Sequence, residues 1–160
     1  MKKLLLTFML IAGIASAASA QSLRLGEPIP DIDIISAMGP ELKQMRREFV
    51  CLVFVHPDSK PCIEALTKFQ EVDNALSNDM SVVLITYAEQ KNRSIIHPFV
   101  DRNTTVAFDN KQHTFRNFGV EHVPFSVIYC HKHRRTLWFG TLNQLDRATA
   151  EEVIKNHKHL

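Results

Sequence analysis

Two long apolar runs with a helix-like segment between them most constrain what this chain can fold into. Residues Phe49–Val55 and Met80–Tyr87 are largely apolar throughout, which is typical of strands covered on both faces of a sheet. Between them, Ser59–Ser77 carries apolar residues at the spacing of an amphipathic helix. A strand, a helix and a second strand in this order predict a β-α-β unit, and hence an α/β domain.

The second half of the chain predicts antiparallel strands and a closing helix. Phe125–Cys130 and Arg135–Phe139 are joined by four polar residues that predict a hairpin turn, and Asp146–His157 predicts the last helix. The other predicted elements are strands at Asp31–Ser36 and Thr104–Phe108, and helices at Pro40–Glu48, at Glu89–Val100 around Pro98, and at Asn110–Phe118 with Gly119 as its C-terminal cap. Together they predict a central mixed β-sheet flanked by helices.

The first twenty residues predict a secretory signal. Lys2 and Lys3 precede an apolar stretch that is too short to span a bilayer, and Ala18–Ala20 supplies an A-x-A cleavage site before Gln21. We therefore predict a signal peptide at 1–20, one domain at 21–160, a periplasmic or secreted location, and no membrane contact after cleavage. The alternative is an N-terminal anchor that is retained.

Charge and cysteine content limit the partners and the redox state. The chain has 19 Lys+Arg and 17 Asp+Glu, and without Lys2 and Lys3 the two counts are equal, which argues against nucleic acid or an anionic membrane as the main partner. Export implies an oxidising compartment. The three cysteines, Cys51, Cys62 and Cys130, then allow either one disulfide with one free thiol or three free thiols.

Four short motifs in a fixed order carry a family resemblance. They are L-G-E-P-I-P at Leu25–Pro30, F-V-H-P-D-S-K-P-C at Phe54–Cys62, F-G-V-E-H-V-P at Phe118–Pro124, and W-F-G at Trp138–Gly140. The chain resembles the thioredoxin superfamily, and most of all its exported thioredoxin-like and redoxin (TlpA-like) branch. The resemblance implies a thioredoxin-like fold with an N-terminal strand extension, and a cis-proline at Pro124.

The departures from the family pattern concern chemistry. Ser59 stands where the family has its nucleophilic cysteine, Asp58 and Val55 replace tryptophans, and Val53 stands where thioredoxins bury a carboxylate. Disulfide exchange needs one thiol to attack and a second to resolve the mixed disulfide. We therefore expect no dithiol exchange, and at most monothiol redox activity at Cys62.

Each residue of the turn has a functional and a structural interpretation. Ser59 is expected to act as a helix N-cap whose oxygen accepts the Cys62 N–H, a bond worth about 1 kcal/mol. Cys62, in the first helical turn near Lys60, is either a redox thiol or a buried inert group. His56 is either a base or orienting group, or a partly exposed turn residue.

Two further functions stay open, and neither needs a cofactor. The first is a non-catalytic module that binds an extended peptide or protein segment by strand addition at Val123, beside Pro124. The second is a one-cysteine peroxidase, because Ser59-x-x-Cys62 matches the T/S-x-x-C of peroxiredoxins. The proline that peroxiredoxins carry seven residues before the cysteine is Val55 here.

The two remaining cysteines are a candidate disulfide pair. If the strands at Phe49 and Phe125 are antiparallel neighbours, opposed residue numbers sum to about 180 or 181, so that Cys51 lies opposite or next to Cys130. The alternative is a pair of buried, unlinked thiols.

The histidine-rich segments are predicted to be solvated. They are His131-x-His133 after Cys130 and His157-x-His159 at the chain end. Because successive residues cannot easily surround one ion, we predict no metal site.

Overall fold

The computed structural model describes residues 23–34, 36–41, 47–87 and 93–158, and its strands form one sheet in the order β1-β4-β3-β2-β5-β6. The strands are β1 Ser36–Met38, β2 Phe49–Phe54, β3 Met80–Thr86, β4 Thr104–Phe108, β5 Phe125–Cys130 and β6 Arg135–Thr141. The helices are α1 Lys60–Leu76, α2 Arg93–Ile96, α3 His113–Asn117 and α4 Arg147–Lys158, with short 3₁₀ helices at His97–Phe99 and Leu142–Gln144.

The centre of the sheet is the predicted β-α-β unit. Strand β2 pairs in parallel with β3 and antiparallel with β5, and every residue of β2 and β3 is buried. Strand β4 extends the parallel part, while β6 pairs antiparallel with β5. The mixed sheet between helices confirms the predicted fold class.

The alternation of side chains along β2 divides the core between the two faces of the sheet. Phe49, Cys51 and Val53 pack with α1 and α4 on one face, which we call the α1 face. Val50, Leu52 and Phe54 pack on the other face, where they contact Phe115 in α3 and Phe118, which follows α3.

The N-terminal strand lies later in the chain than predicted. Strand β1 covers Ser36–Met38 and pairs antiparallel with β4 at the sheet edge, whereas the prediction placed it at Asp31–Ser36. The reason is that Asp33 is held by α3: its N–H and C=O both bond the Thr114 hydroxyl, and its carboxylate lies 2.7 Å from the His113 Nδ1. A side chain of α3 thus replaces the strand ladder here.

Helix α3 begins three residues later than predicted. Gln112 adopts a left-handed backbone with φ of 57°, and its N–H bonds the Asp109 carbonyl, so residues 109–112 form a turn. The Asp109 carboxylate accepts the N–H groups of His113 and Phe115 and so caps the short helix. Gly119 follows with φ of 61°, as predicted for a C-terminal cap.

Some predicted elements lie partly or wholly outside the described residues. These are the signal peptide at 1–20, most of the helix at Pro40–Glu48, and the start of the helix at Glu89–Val100. The described part of the last contains α2 and the 3₁₀ helix that includes Pro98. None of the described helices has the length and apolar character needed to cross a bilayer.

Candidate functional site

The turn between β2 and α1 is closed by its own backbone and by His56. The Ser59 N–H donates to the His56 carbonyl at 3.0 Å, and the Asp58 N–H donates to the His56 Nδ1 at 3.1 Å. The half-buried His56 ring meets the Tyr87 ring edge-on at 5.0 Å. Because Nδ1 accepts a hydrogen bond, the ring in this arrangement carries its proton on Nε2. His56 therefore orients the turn.

Ser59 occupies the N-cap position without making the predicted side-chain bond. Its backbone is extended and its carbonyl accepts the Ile63 N–H at 3.1 Å, but its hydroxyl makes no capping hydrogen bond. The expected bond from the Cys62 N–H to the Ser59 oxygen is therefore wrong. Pro61, the second residue of the helix, has no N–H, so the Cys62 N–H is the only one of the two usual amides that remains for an N-cap side chain, and the Ser59 hydroxyl does not accept it.

Cys62 is fully shielded at the start of α1. Its side chain has no exposed surface, and its Sγ accepts the His56 backbone N–H at 3.5 Å. It belongs to the buried cluster of the α1 face, together with Val53 and Val55. The Lys60 ammonium points instead into solvent, 3.6 Å from Glu64. The thiol thus has one amide donor, and the neighbouring lysine is paired elsewhere.

The loop before β5 lies at the same end of the sheet as this turn. Phe125 pairs with Phe54, so Val123 and Pro124 lie beyond the end of β2. The peptide bond between Val123 and Pro124 is cis, and both residues are half-buried. Leu142 donates its N–H to the Pro124 carbonyl at 3.2 Å. Within the described segments, no hydrogen bond of the Val123 backbone is found.

Helix α1 carries a buried carboxylate, Asp73, that was not predicted as a site residue. It accepts hydrogen bonds from the Thr104 hydroxyl at 2.8 Å and the Asn103 amide at 2.5 Å. Burial raises the pKa of Asp73, and these two bonds oppose that rise. Its position one helical turn after Phe69, on the apolar face of α1, was the available signal.

Asp73 is too far along α1 to serve Cys62. Eleven residues of helix separate them, a rise of about 16 Å. The carboxylate lies instead near Cys51, whose pKa is raised by burial and then by the Asp73 charge. The structure thus brings His56, Ser59 and Cys62 together, and Asp73 lies too far from them to act on the thiol.

The predicted register between β2 and β5 is wrong. Cys51 lies opposite Ile128 and Cys130 opposite Phe49, and all three cysteines are free. Cys51 and Cys130 are therefore diagonal neighbours, and residues in this relation lie about 7–8 Å apart. Disulfides usually need Cα atoms within about 4.4–6.8 Å. The ladder ends at the Phe54–Phe125 pair, so His56 and Pro124, which set the predicted register, lie outside it.

Two of the histidines predicted to be solvated, His133 and His157, converge with Cys130 at the other end of the sheet. Ligand atoms of Cys130, His133 and His157 all lie within 4.8 Å of one another. Successive residues alone do not produce this cluster, because its third group, His157, comes from α4, far along the chain.

Comparisons with known proteins support the fold. No protein-family model and no curated protein sequence matches the chain. Among solved structures, a thioredoxin-like protein in its oxidised form shares 16% identity at a TM-score of 0.69, over 84% of this chain and 99% of that one. A putative thiol:disulfide interchange protein DsbE from Chlorobium tepidum shares 21% identity at 0.64, over 84% and 97%. A secreted Mycobacterium tuberculosis disulfide oxidoreductase, homologous to Escherichia coli DsbE, shares 17% at 0.54, over 68% and 81%.

Proposed function

We propose that this chain, which has a thioredoxin-like fold, is a peptide-binding module that does not carry out dithiol–disulfide exchange. The observation that carries the proposal is the state of the turn at the start of α1. The Cys62 thiol has no exposed surface, and the residue three positions before it is Ser59, which has a hydroxyl in place of a thiol.

Chemistry at this turn argues against exchange. A disulfide is broken by a thiolate that attacks one of its sulfur atoms, and a second thiol then releases the product. The Ser59 hydroxyl cannot take the first role, since it is hardly ionised near neutral pH and an S–O bond does not enter the exchange. We expect the wild-type chain to leave insulin disulfides intact. A Ser59→Cys variant, which restores the missing sulfur, is the matched positive control.

The backbone before β5 supports binding. Val123 is half-buried, packs against both core clusters, and has no hydrogen-bond partner for its backbone within the described segments. An extended peptide can add to such a backbone as a strand, with main-chain hydrogen bonds supplying affinity. Nothing in this mode of binding requires a reactive thiol.

Export belongs to the same proposal. Residues 1–20 have the pattern of a secretory signal, and one structural neighbour is described as a secreted disulfide oxidoreductase. We propose a periplasmic or secreted protein. A mature N-terminus at Gln21, measured by intact-mass spectrometry on the exported protein, would support this.

The binding test is hydrogen–deuterium exchange with an unfolded polypeptide as probe. Reduced, carboxymethylated α-lactalbumin is a suitable probe because it has extended segments and no free thiol. We expect the amide of Val123 to become protected when the probe is added. The amides of the His131–Arg134 turn, at the opposite end of the sheet, should exchange unchanged and serve as the internal control.

The Cys62→Ala variant separates binding from thiol chemistry. The proposed module should show the same protection at Val123 in this variant as in the wild type. Absence of protection at saturating probe would contradict the proposal, and so would protection that disappears with the thiol.

A second candidate function is monothiol redox activity at Cys62, including peroxidase activity. The observation that favours it is the amide donor of His56 at 3.5 Å from Sγ, since hydrogen bonds to sulfur stabilise a thiolate. In that reaction the thiolate attacks one peroxide oxygen, the O–O bond breaks and hydroxide leaves, so that sulfur becomes sulfenic acid as peroxide is reduced. Trapping of a sulfenic acid at Cys62 with dimedone in the folded chain would favour this function over binding alone.

A further inference from the structure

We propose that Cys130, His133 and His157 form a binding site for a late first-row transition metal, with Zn²⁺ as the foremost candidate. Their ligand atoms lie within 4.8 Å of one another, and the Cys130 Sγ is 3.7 Å from the His133 Nδ1. The site lies at the end of the sheet opposite to the Cys62 turn. It is independent of the peptide-binding proposal, because it shares no residue with it.

Local backbone geometry brings His133 back toward Cys130. Cys130 is the last residue of β5, and the Arg134 N–H donates to the Cys130 carbonyl at 2.8 Å to close the hairpin turn. Arg134 has a left-handed backbone with φ of 52°, which reverses the chain after His133. The three-residue spacing thus places the thiol and the first imidazole on one side of the turn.

Tertiary packing supplies the third group. His157 lies near the end of α4, which packs on the α1 face, and its ring meets the Phe49 ring edge-on at 5.7 Å. Phe49 pairs directly with Cys130 across the β2–β5 ladder. This fully buried ring therefore lies between the strand that carries the thiol and the helix that carries the second imidazole.

The distances agree with a tetrahedral metal ion. With a Zn–S bond of about 2.3 Å and Zn–N bonds of about 2.0–2.1 Å, tetrahedral angles hold sulfur and nitrogen about 3.6 Å apart and two nitrogens about 3.3 Å apart. The observed Sγ–Nδ1 distance of 3.7 Å already matches. The other ligand atoms, now within 4.8 Å of one another, need to move only a short distance closer. His133 is exposed in a turn and His157 is half-buried near a helix end, so both side chains have room to move.

The ligand types determine the class of metal. A thiolate and two imidazoles suit zinc, cobalt and copper, and they disfavour magnesium and calcium, which take oxygen ligands. On binding, the Cys130 S–H bond is replaced by a sulfur–metal bond, and the proton passes to solvent with no change of oxidation state. Three protein ligands leave a fourth position for water or for a ligand from outside.

The experiment measures metal binding by the full chain, purified without a histidine tag and kept reduced. We expect titration to give one Zn²⁺ per chain. Co²⁺ as a substitute should give the ligand-field absorption of a four-coordinate site and a thiolate-to-metal charge-transfer band. Loss of even an outer-shell partner typically costs about 10–100-fold in metal affinity, so His133→Ala and His157→Ala should each weaken Zn²⁺ binding by at least about tenfold.

His131→Ala is the matched control, since His131 is an exposed histidine of the same turn and does not belong to the cluster. It should bind Zn²⁺ as the wild type does, while Cys130→Ser should abolish the charge-transfer band. Because Cys130 is buried, that variant can fail to fold, and His133→Ala then decides alone. The proposal is overturned if the folded wild type binds no Zn²⁺, if His133→Ala binds it equally well, or if the Co²⁺ complex lacks the thiolate band.

Discussion

The two ends of the β2–β5 pair each hold a buried cysteine in a very different setting. At the turn end, Cys62 has 0% exposed surface and its sulfur contacts a backbone amide. At the histidine end, Cys130 has 1% exposed surface and its sulfur lies beside an imidazole, with a second imidazole close by. Burial is thus the same at both ends, and what differs is the set of side chains within reach of sulfur.

This difference separates the fold from its chemistry. The resemblance to the thioredoxin superfamily implies an active site at the turn end. This chain carries a serine and a shielded thiol there. Three side chains of the types that ligate metals, Cys130, His133 and His157, converge at the other end instead. A fold thus indicates where a site can be built, and only the residues present determine which chemistry occurs.

The largest expected effect tests whether both ends are equally well packed. Phe49 at the histidine end and Phe54 at the turn end are both fully buried. Removal of either ring leaves a cavity, so Phe49→Ala and Phe54→Ala should each lower the free energy of unfolding by about 3–5 kcal/mol. Urea unfolding followed by circular dichroism measures this. A loss below about 1 kcal/mol at one end would show that this end is loosely packed.

The next effect should separate the two thiols. If Zn²⁺ binds at the histidine end, it ligates the Cys130 sulfur and makes no contact with Cys62. At a free Zn²⁺ concentration about 100 times the Kd, alkylation of Cys130 should slow by about 100-fold, which corresponds to about 2.7 kcal/mol. Mass spectrometry of alkylated peptides reports each cysteine separately. Because a bound Zn²⁺ also stabilises the folded chain as a whole, His133→Ala is the deciding control, and protection of Cys130 that persists in this variant would contradict a site at the histidine end.

Those parts of the fold that depend on burial could be predicted from the sequence. Strands β4 and β5 lie where they were predicted, and β2 and β3 each end one residue earlier than predicted. A strand covered on both faces must be apolar throughout, and this leaves a direct compositional signal.

Features that depend on tertiary pairing could not be predicted in the same way. The Cys51–Cys130 register depends on where the ladder ends, and His157 reaches Cys130 only because α4 packs on the α1 face. The missing Ser59 cap depends on the orientation of a single hydroxyl. In each case the deciding contact is made by groups whose relative position only the assembled fold determines.

A smaller effect concerns Asp73, the buried acid that lies far along α1 from Cys62. Burial raises the pKa of Asp73 in the folded state, so the folded chain binds a proton more tightly there than the unfolded chain does. This contribution to stability is therefore present at acid pH and is lost as pH rises from about 4, near the unfolded-state pKa, through the raised folded-state pKa. Asp73→Asn keeps the shape and removes the titration.

The measurement for Asp73 is urea unfolding of both chains across the acidic pH range. The stability of the wild type relative to Asp73→Asn should fall as pH rises. A relative stability that instead rises with pH would mean that the hydrogen bonds from Thr104 and Asn103 outweigh burial.

The smallest expected effect returns to the turn end. A serine that caps a helix with its side chain contributes about 1 kcal/mol, whereas the Ser59 hydroxyl makes no capping bond. Ser59→Ala should therefore change the free energy of unfolding by no more than about 0.5 kcal/mol, as at other sites without a specific interaction. Thermal or urea unfolding at neutral pH measures it, with Asp109→Ala as the matched control, because the Asp109 carboxylate does accept two amides of α3 and its loss should cost clearly more. A loss of 1 kcal/mol or more in Ser59→Ala would mean that the hydroxyl caps α1 in solution. In that case helix stability would explain why Ser59 stands where the resemblance implies a cysteine, and the role of the turn end would be to stabilise α1.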